Sequence, residues 1–93
     1  MNETRKLSDL VSVGPATVRD LNDLGIRTVD DLKGQSAAAL YEQLQEIRGQ
    51  KMDICCKDVY EAAIAQANDP DLPAKKRQWP YWSKVRKGQD TRG

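Results

Sequence analysis

The sequence predicts an all-α domain of five helices followed by a basic, aromatic C-terminal tail. Glycine and proline divide the 93 residues into short segments, and apolar residues recur within these segments at three- and four-residue spacing. Runs of β-branched residues with two-residue alternation, which would indicate strands, are missing. A chain of this length has enough apolar surface for one core, so a single compact domain is expected.

The first two predicted helices lie on either side of a glycine-proline turn. Helix one is expected over about residues 3–10 and helix two over residues 15–24, because Pro15 suits a first helical position. Gly25 is expected to end helix two in the left-handed conformation. The inward-facing residues repeat at helical spacing, and they are Leu7, Leu10 and Val11 in helix one and Val18, Leu21 and Leu24 in helix two.

Capping residues mark helices three and four. Thr28 and Asp31 have the spacing of a capping box, and they open a short helix that ends before Gly34. Ser36 is a good N-cap for helix four, which Gly49 ends. The core-facing residues are again apolar: Val29 and Leu32 in helix three, and Leu40, Leu44 and Ile47, with Tyr41 beside them, in helix four.

Helix five completes the predicted domain, which covers residues 1–68. It begins near Asp53, whose carboxylate can cap free N–H groups, and ends at Asn68. A linker rich in aspartate and proline covers residues 69–74 and separates the domain from the tail, residues 75–93. The tail is expected to be disordered from Gly88 on. The inward-facing residues of helix five are Ile54, Val59, Ala62, Ala63 and Ala67.

The tail interleaves cations with Trp79, Tyr81 and Trp82, and two interpretations of it remain open. In the first, the Trp79–Trp82 segment docks on helix five as a latch, because burial of large aromatic side chains stabilises a small core. In the second, cations and aromatic rings contact a nucleic-acid strand through its phosphates and bases. The two are compatible, because docked aromatics would hold the last cations beside the turn at Gly14.

The composition argues against an enzyme and against a bound metal. The chain has no histidine, which removes the commonest general base and the commonest transition-metal ligand. Its two cysteines, Cys55 and Cys56, are adjacent, and neighbouring cysteines suit neither an unstrained disulfide nor a zinc site. The helix dipole and Lys57 favour a lowered thiol pKa, but free cysteine is chiefly a small buried apolar residue. We expect no catalytic residue, no metal and no cofactor.

No apolar stretch approaches the length of a membrane span, and the N-terminus lacks the pattern of a secretory signal. These features predict a cytoplasmic protein that does not contact membranes. The net charge of +1 is unevenly distributed along the chain. Residues 1–73 carry 8 Lys and Arg against 13 Asp and Glu, whereas residues 74–93 carry 7 against 1. An acidic body therefore bears a basic tail.

The turn between helices one and two is the most informative motif. It runs from Leu10 through Gly14 and Pro15 to Leu21, with short amphipathic segments on both sides. At such a turn the unpaired N–H groups and the positive end of the helix dipole favour an anion. Gly14 permits close approach of a strand, and the Thr17 hydroxyl can add a hydrogen bond. A phosphate group fits this position.

This stretch resembles the helix-hairpin-helix motif, in which hydrophobic residues and glycines alternate before a short helix that starts with proline. Ser12 stands at the first glycine, and Ala16 stands where a lysine or arginine is often found. In such proteins the hairpin binds nucleic-acid phosphates independently of base sequence. Residues 24–32 have the spacing that follows the first motif of a tandem fold, in which helices four and five form a degenerate second hairpin around Gly49.

The resemblance extends over residues 7–82 to a bacterial family of small helix-hairpin-helix proteins of the pathogenicity-locus or mitomycin-resistance type. The residues that carry it beyond the hairpin are Leu40, Tyr41, Leu44, Cys55, Val59, Tyr60 and the Trp79–Trp82 segment. The family implies the fold more than it implies a chemistry.

The leading hypothesis is a sequence-independent DNA-binding module of low affinity that is not an enzyme. It requires the bend to be open, and a bend covered by the C-terminal segment or surrounded by carboxylates would argue against it. The alternatives are a hairpin that only connects packed helices and a protein-interaction adaptor without significant DNA affinity. Neither DNA over RNA nor an oligomeric state follows from the residues. The predicted nucleic-acid-binding residues are Ser12, Val13, Gly14, Ala16, Thr17, Arg19, Lys75, Lys76, Arg77, Lys84, Arg86 and Lys87.

Overall fold

The computed structural model describes residues 4–88, and all regular structure in that range is helical. A 3-10 turn over Leu7–Asp9 comes first. Six α-helices follow in chain order: α1 Pro15–Asp23, α2 Val29–Leu32, α3 Ala37–Arg48, α4 Cys55–Asn68, α5 Ala74–Arg77 and α6 Trp79–Arg86. The predicted all-α fold is confirmed, and no helix of the described part is long and apolar enough to cross a bilayer.

Local capping sets the boundaries of α2 and α3. The Thr28 hydroxyl accepts a hydrogen bond from the Asp31 N–H at 3.1 Å, and the Asp31 carboxylate accepts from the Thr28 N–H at 3.2 Å. Ser36 caps α3 through the Ala39 N–H, and Gly49 ends that helix at a φ of +69°. These contacts are made between residues a few positions apart, so they follow from the sequence alone.

Asp31 carries a testable consequence for stability in acid. Hydrogen bonds from the Arg27 N–H and then from Thr28 hold the pKa of Asp31 below its ordinary value of 3.8. The pKa of Asp31 is therefore lower in the folded state than in the unfolded state. The stability that its carboxylate contributes is fully present above the unfolded-state pKa and is lost as the pH falls through the folded-state pKa. We expect Asp31→Asn to unfold more easily than the wild type at pH 6. The difference in stability between the two proteins is expected to shrink as the pH falls below 3.8, the ordinary pKa of the carboxyl. Urea denaturation of both proteins, from pH 6 to below pH 3.8, measures this difference in stability.

The core surrounds α4, which packs against α2, α3, α5 and α6. The side chains of Leu21, Leu32 and Leu44 have no exposed surface, and Tyr60 is 1% exposed. The other core members are apolar residues from every part of the described chain up to α4, among them Leu7, Leu10, Val13, Ile26, Val29, Ala37, Leu40, Ala63, Ile64 and Ala67.

The structure differs from the prediction at both ends of the domain. In place of the helix expected over residues 3–10 there is only the 3-10 turn. It begins after Lys6, whose N–H donates to the Asp9 carboxylate, and ends at Leu10, whose backbone is extended. The segment predicted as a tail contains α5 and α6, and α6 carries Pro80 in its first turn. Disorder was predicted from Gly88 on, but Gly88 lies in a turn in which its N–H donates to the Val85 carbonyl at 2.9 Å. The other residues of that prediction, 89–93, lie outside the described range.

A buried ion pair joins α6 to α4. Asp58 has no exposed surface, and both of its carboxylate oxygens accept from the Arg86 guanidinium at distances of 2.9 to 3.2 Å. This pairing and the carboxylate raise the pKa of Arg86 above its ordinary value. The pair holds the C-terminal helix against the domain.

Candidate nucleic-acid interface

The Gln66 side chain fixes the start of the turn between the 3-10 segment and α1. Its amide oxygen accepts from the Val11 N–H at 2.9 Å, and its amide nitrogen donates to the Val11 carbonyl at 2.8 Å. The same nitrogen donates to the Ala62 carbonyl at 3.1 Å, and the side chain is buried. One side chain of α4 thus satisfies both backbone groups of Val11, which holds the turn in place.

Ser12 adopts a left-handed backbone conformation with a φ of +74°. Glycine adopts such a φ most readily, and Ser12 stands where the sequence resemblance places a glycine. The Ser12 hydroxyl donates to the Arg77 carbonyl at 3.1 Å and accepts from the Trp79 N–H at the same distance. The turn is therefore hydrogen-bonded to the junction between α5 and α6.

Two substitutions distinguish the hydrogen bonds of the Ser12 hydroxyl from the left-handed backbone conformation of this residue. Ser12→Ala loses both hydrogen bonds and keeps the unfavourable φ, whereas Ser12→Gly loses the bonds but adopts that φ without strain. We expect the alanine variant to be less stable than the glycine variant by about 1 kcal/mol. Chemical denaturation of the two proteins measures the difference, and equal stabilities would show that the backbone strain at Ser12 is negligible.

The N-terminus of α1 is open to solvent next to this turn. Gly14, Pro15 and Ala16 are exposed, and Thr17 is half-buried. The first backbone bond of the helix runs from the Val18 N–H to the Gly14 carbonyl at 3.0 Å, and no acceptor in residues 4–88 contacts the Ala16 or Thr17 N–H. Val13 differs from these residues, because it lies in the core. The C-terminal segment contacts the bend at Ser12 and leaves the first turn of α1 uncovered.

The structure places the predicted cations in different environments. Lys75, Lys76, Lys84 and Lys87 are exposed, as is Arg19 on α1. Lys75 lies 5.9 Å from the centroid of the Tyr81 ring, and the Arg77 guanidinium donates to the Leu72 carbonyl at 2.7 Å. Arg86 was predicted to bind nucleic acid, but its guanidinium is bound to the buried Asp58.

Carboxylates also lie near α1, and their partners decide how they act. Asp20 and Asp23 both pair with the Arg48 guanidinium, at 2.7 and 2.8 Å, which raises the pKa of Arg48. Asp53 accepts from the Cys55 N–H at 2.9 Å, and this hydrogen bond lowers the pKa of Asp53. Each carboxylate is engaged within the domain, which reduces but does not remove its repulsion of an approaching anion.

A groove of about 290 Å³ lies beside the first turn of α1. Thr17 and Asp20 line it on one side, and Cys56, Val59 and Tyr60 of α4 line it on another, with Trp79 completing it. No pattern in the sequence predicts this groove, because its walls come from three helices that are distant in the chain.

A family model described as Cdd1, pathogenicity locus, matches residues 1–88. The chain belongs to the Cdd1 family. This Cdd1-family chain is also similar to the mitomycin resistance protein McrB of Streptomyces lavendulae, with 33% identity over 81 residues that cover 87% of this chain and 73% of the relative. No solved structure matches it. The resemblance to the pathogenicity-locus family is thereby confirmed.

The two cysteines of this Cdd1-family chain do not have the lowered thiol pKa that their position suggested. Burial is the largest influence on both, and it raises the pKa of Cys55 and of Cys56. Asp53 raises the pKa of both thiols further. At neutral pH both side chains are therefore protonated, as expected of partly buried apolar residues.

Tyr60 of the Cdd1-family domain differs from Tyr41 in how its hydroxyl is satisfied. The Tyr60 hydroxyl is buried and has no hydrogen-bond partner within the described residues, whereas the Tyr41 hydroxyl donates to the Met52 carbonyl. We expect Tyr60→Phe to stabilise the fold by up to about 1–3 kcal/mol and Tyr41→Phe to cost about 0.5–1.5 kcal/mol. Thermal or urea denaturation tests the contrast, and destabilisation by Tyr60→Phe would contradict it.

Proposed function

We propose that the chain is a sequence-independent nucleic-acid-binding module of the helix-hairpin-helix type. Its phosphate site is the first turn of α1, where the N–H groups of Ala16 and Thr17 have no acceptor in the described chain. Free N–H groups at a helix start, together with the helix dipole, attract anions. Gly14 leaves room for close approach, because no heavy atom lies within 4 Å of where its Cβ would be.

The observation that carries the proposal is the attachment of the basic C-terminal helices to this turn. The Ser12 hydroxyl bonds to the Arg77 carbonyl and the Trp79 N–H, and Arg77 directly follows Lys75 and Lys76 in the sequence. A segment that carries exposed cations is thereby attached to the turn that precedes the open helix start. Such cations supply most of the affinity of a protein for a polyanion.

We assign different roles to the predicted nucleic-acid-binding residues. Ser12 and Val13 hold the shape of the turn, since the Ser12 hydroxyl is used within the chain and Val13 is buried. Backbone groups of Gly14, Ala16 and Thr17 contact phosphate, and exposed cations add charge. Those cations are Arg19, Lys75, Lys76, Lys84 and Lys87. Arg77 and Arg86 support α5 and α6 instead.

A salt titration tests the proposal. Labelled duplex, single-stranded and branched DNA are titrated with the protein at about 50 and 200 mM salt. Four or five phosphate contacts predict that the affinity falls by about 50- to 500-fold between these two salt concentrations. Lys75→Ala/Lys76→Ala is expected to weaken binding and to flatten the salt dependence. The matched control Lys33→Ala/Lys51→Ala removes the same charge from exposed positions of the acidic body and is expected to bind like the wild type.

Gly14→Ala provides a second variant that leaves the fold intact. Gly14 has a φ of −97° and open space around it, so alanine fits without strain. Weaker DNA binding by a stably folded Gly14→Ala protein supports close backbone approach. Absence of binding by the wild type at low salt contradicts the proposal and favours the protein-interaction adaptor.

A further inference from the structure

The groove beside α1 is continuous with the proposed phosphate site. Thr17 belongs to both, because its N–H lies in the first turn of α1 and its side chain lines the groove. The volume of about 290 Å³ is at the lower end of the range for small-molecule pockets, which suits one planar group rather than a large ligand. When the phosphate of a ligand lies at the first turn of α1, the chemical group next to that phosphate can enter this groove.

Tyr60 indicates that the groove binds a polar partner. Its side chain lines the groove and is 1% exposed, and the hydroxyl has no hydrogen-bond partner in the part of the chain that the structure describes. A buried hydroxyl without a partner is costly, and such groups in native proteins call for an explanation outside the chain itself. A bound group with a hydrogen-bond acceptor supplies that partner.

The other walls define the chemistry of that group. Trp79 is 36% exposed and lines the groove, so its ring is available for stacking. The carboxylates of Asp20 and Asp53 also line the groove, and they repel a second phosphate but accept hydrogen bonds from N–H donors. The groove therefore matches a flat, uncharged group that carries both donors and acceptors.

We propose that this groove receives one unpaired nucleobase from the strand whose phosphate lies at the N-terminus of α1. The inference rests on the proposed function and adds a preference to it: a base within a duplex is stacked and paired, so the groove selects single-stranded or locally unpaired nucleic acid. Trp79 stacks on the base, and Tyr60 and Asp20 bond to its edge. Cytosine is a suitable probe because its amino group donates to carboxylates.

Two oligonucleotides with equal numbers of phosphates separate the base from the backbone. A labelled cytosine 12-mer and an abasic 12-mer are titrated at pH 7.5 by fluorescence anisotropy. The wild type is expected to bind the cytosine 12-mer about 5- to 100-fold more tightly. Trp79→Ala is expected to remove most of this ratio, and Tyr60→Phe, which keeps the shape of the core, to lower it about 2- to 10-fold. Tyr41→Phe and Trp82→Phe serve as controls with an unchanged ratio.

The outcomes distinguish this inference from the function on which it rests. Equal affinity of the wild type for the two oligonucleotides overturns the groove as a base site and leaves the phosphate site standing. Lack of binding to both overturns the proposed function and the inference together. A preference for the cytosine 12-mer that is unchanged in both groove variants also overturns the inference, because the base then lies elsewhere.

Discussion

Arg86→Met is expected to lower the free energy of unfolding by about 2–4 kcal/mol, below the loss for a wholly enclosed pair because Arg86 is open to water on one side. The substitution leaves the Asp58 carboxylate, which has no exposed surface, without the guanidinium that pairs with both of its oxygens. An unpaired buried charge is costly, and the total stability of a small domain is only about 5–15 kcal/mol. Urea denaturation at neutral pH measures the loss.

A second substitution at Asp58 and a matched control at Lys84 identify the cause of this loss of stability. Asp58→Asn/Arg86→Met is expected to be more stable than Arg86→Met, because the neutral amide costs less to bury unpaired than the carboxylate does. Lys84→Met changes an exposed cation of the same helix and is expected to have little effect. If Lys84→Met and Arg86→Met destabilise the protein equally, the buried pair is not the reason.

Gln66→Leu is expected to cost about 2–4 kcal/mol, because it leaves the N–H and the carbonyl of Val11 without partners. It also frees the turn that precedes Ser12, so the open start of α1 loses its support. We expect the variant to bind DNA more weakly than the wild type even under conditions in which it remains folded. Denaturation and DNA titration of the same preparation measure the two effects.

The control for this variant is Gln43→Leu, which makes the same change at an exposed position of α3. It is expected to alter stability by less than about 0.5 kcal/mol. A Gln66→Leu protein with wild-type stability would show that water replaces the amide at Val11, and the turn would then not depend on α4.

The elements whose boundaries depend on neighbouring residues could be predicted from the sequence. Thr28 with Asp31, Ser36 and Gly49 act within one helical turn, so their residue types suffice to place α2 and α3. The turn before α1 was predictable for the same reason, since Gly14 and Pro15 are adjacent. Its left-handed residue, however, is Ser12, which no local rule favours.

The parts that were missed depend on contacts between distant residues. Asp58 and Gln66 look like ordinary polar residues of a helix surface, but each is buried because it has a partner 28 or 55 positions away. Pro80 was a signal for α6, since proline is favoured in the first turn of a helix. The many lysine and arginine residues of the segment 75–93 led instead to the prediction of a tail. The groove had no local signal, because Tyr60 and Trp79 meet only in the folded domain.

Phosphate binding at the first turn of α1 is tested by placing a negative charge there. Ala16 and Ala38 are both exposed and hold the second position of α1 and of α3. A glutamate at either position interacts favourably with the helix dipole, so both Ala16→Glu and Ala38→Glu are expected to fold at least as stably as the wild type.

Their DNA affinities are expected to differ, and anisotropy titration at low salt measures them side by side. Ala16→Glu places a carboxylate in the proposed phosphate site and is expected to bind at least about tenfold more weakly, whereas Ala38→Glu adds the same charge elsewhere and stays near the wild type. If the two variants lose affinity equally, or neither loses any, phosphate does not bind at the start of α1.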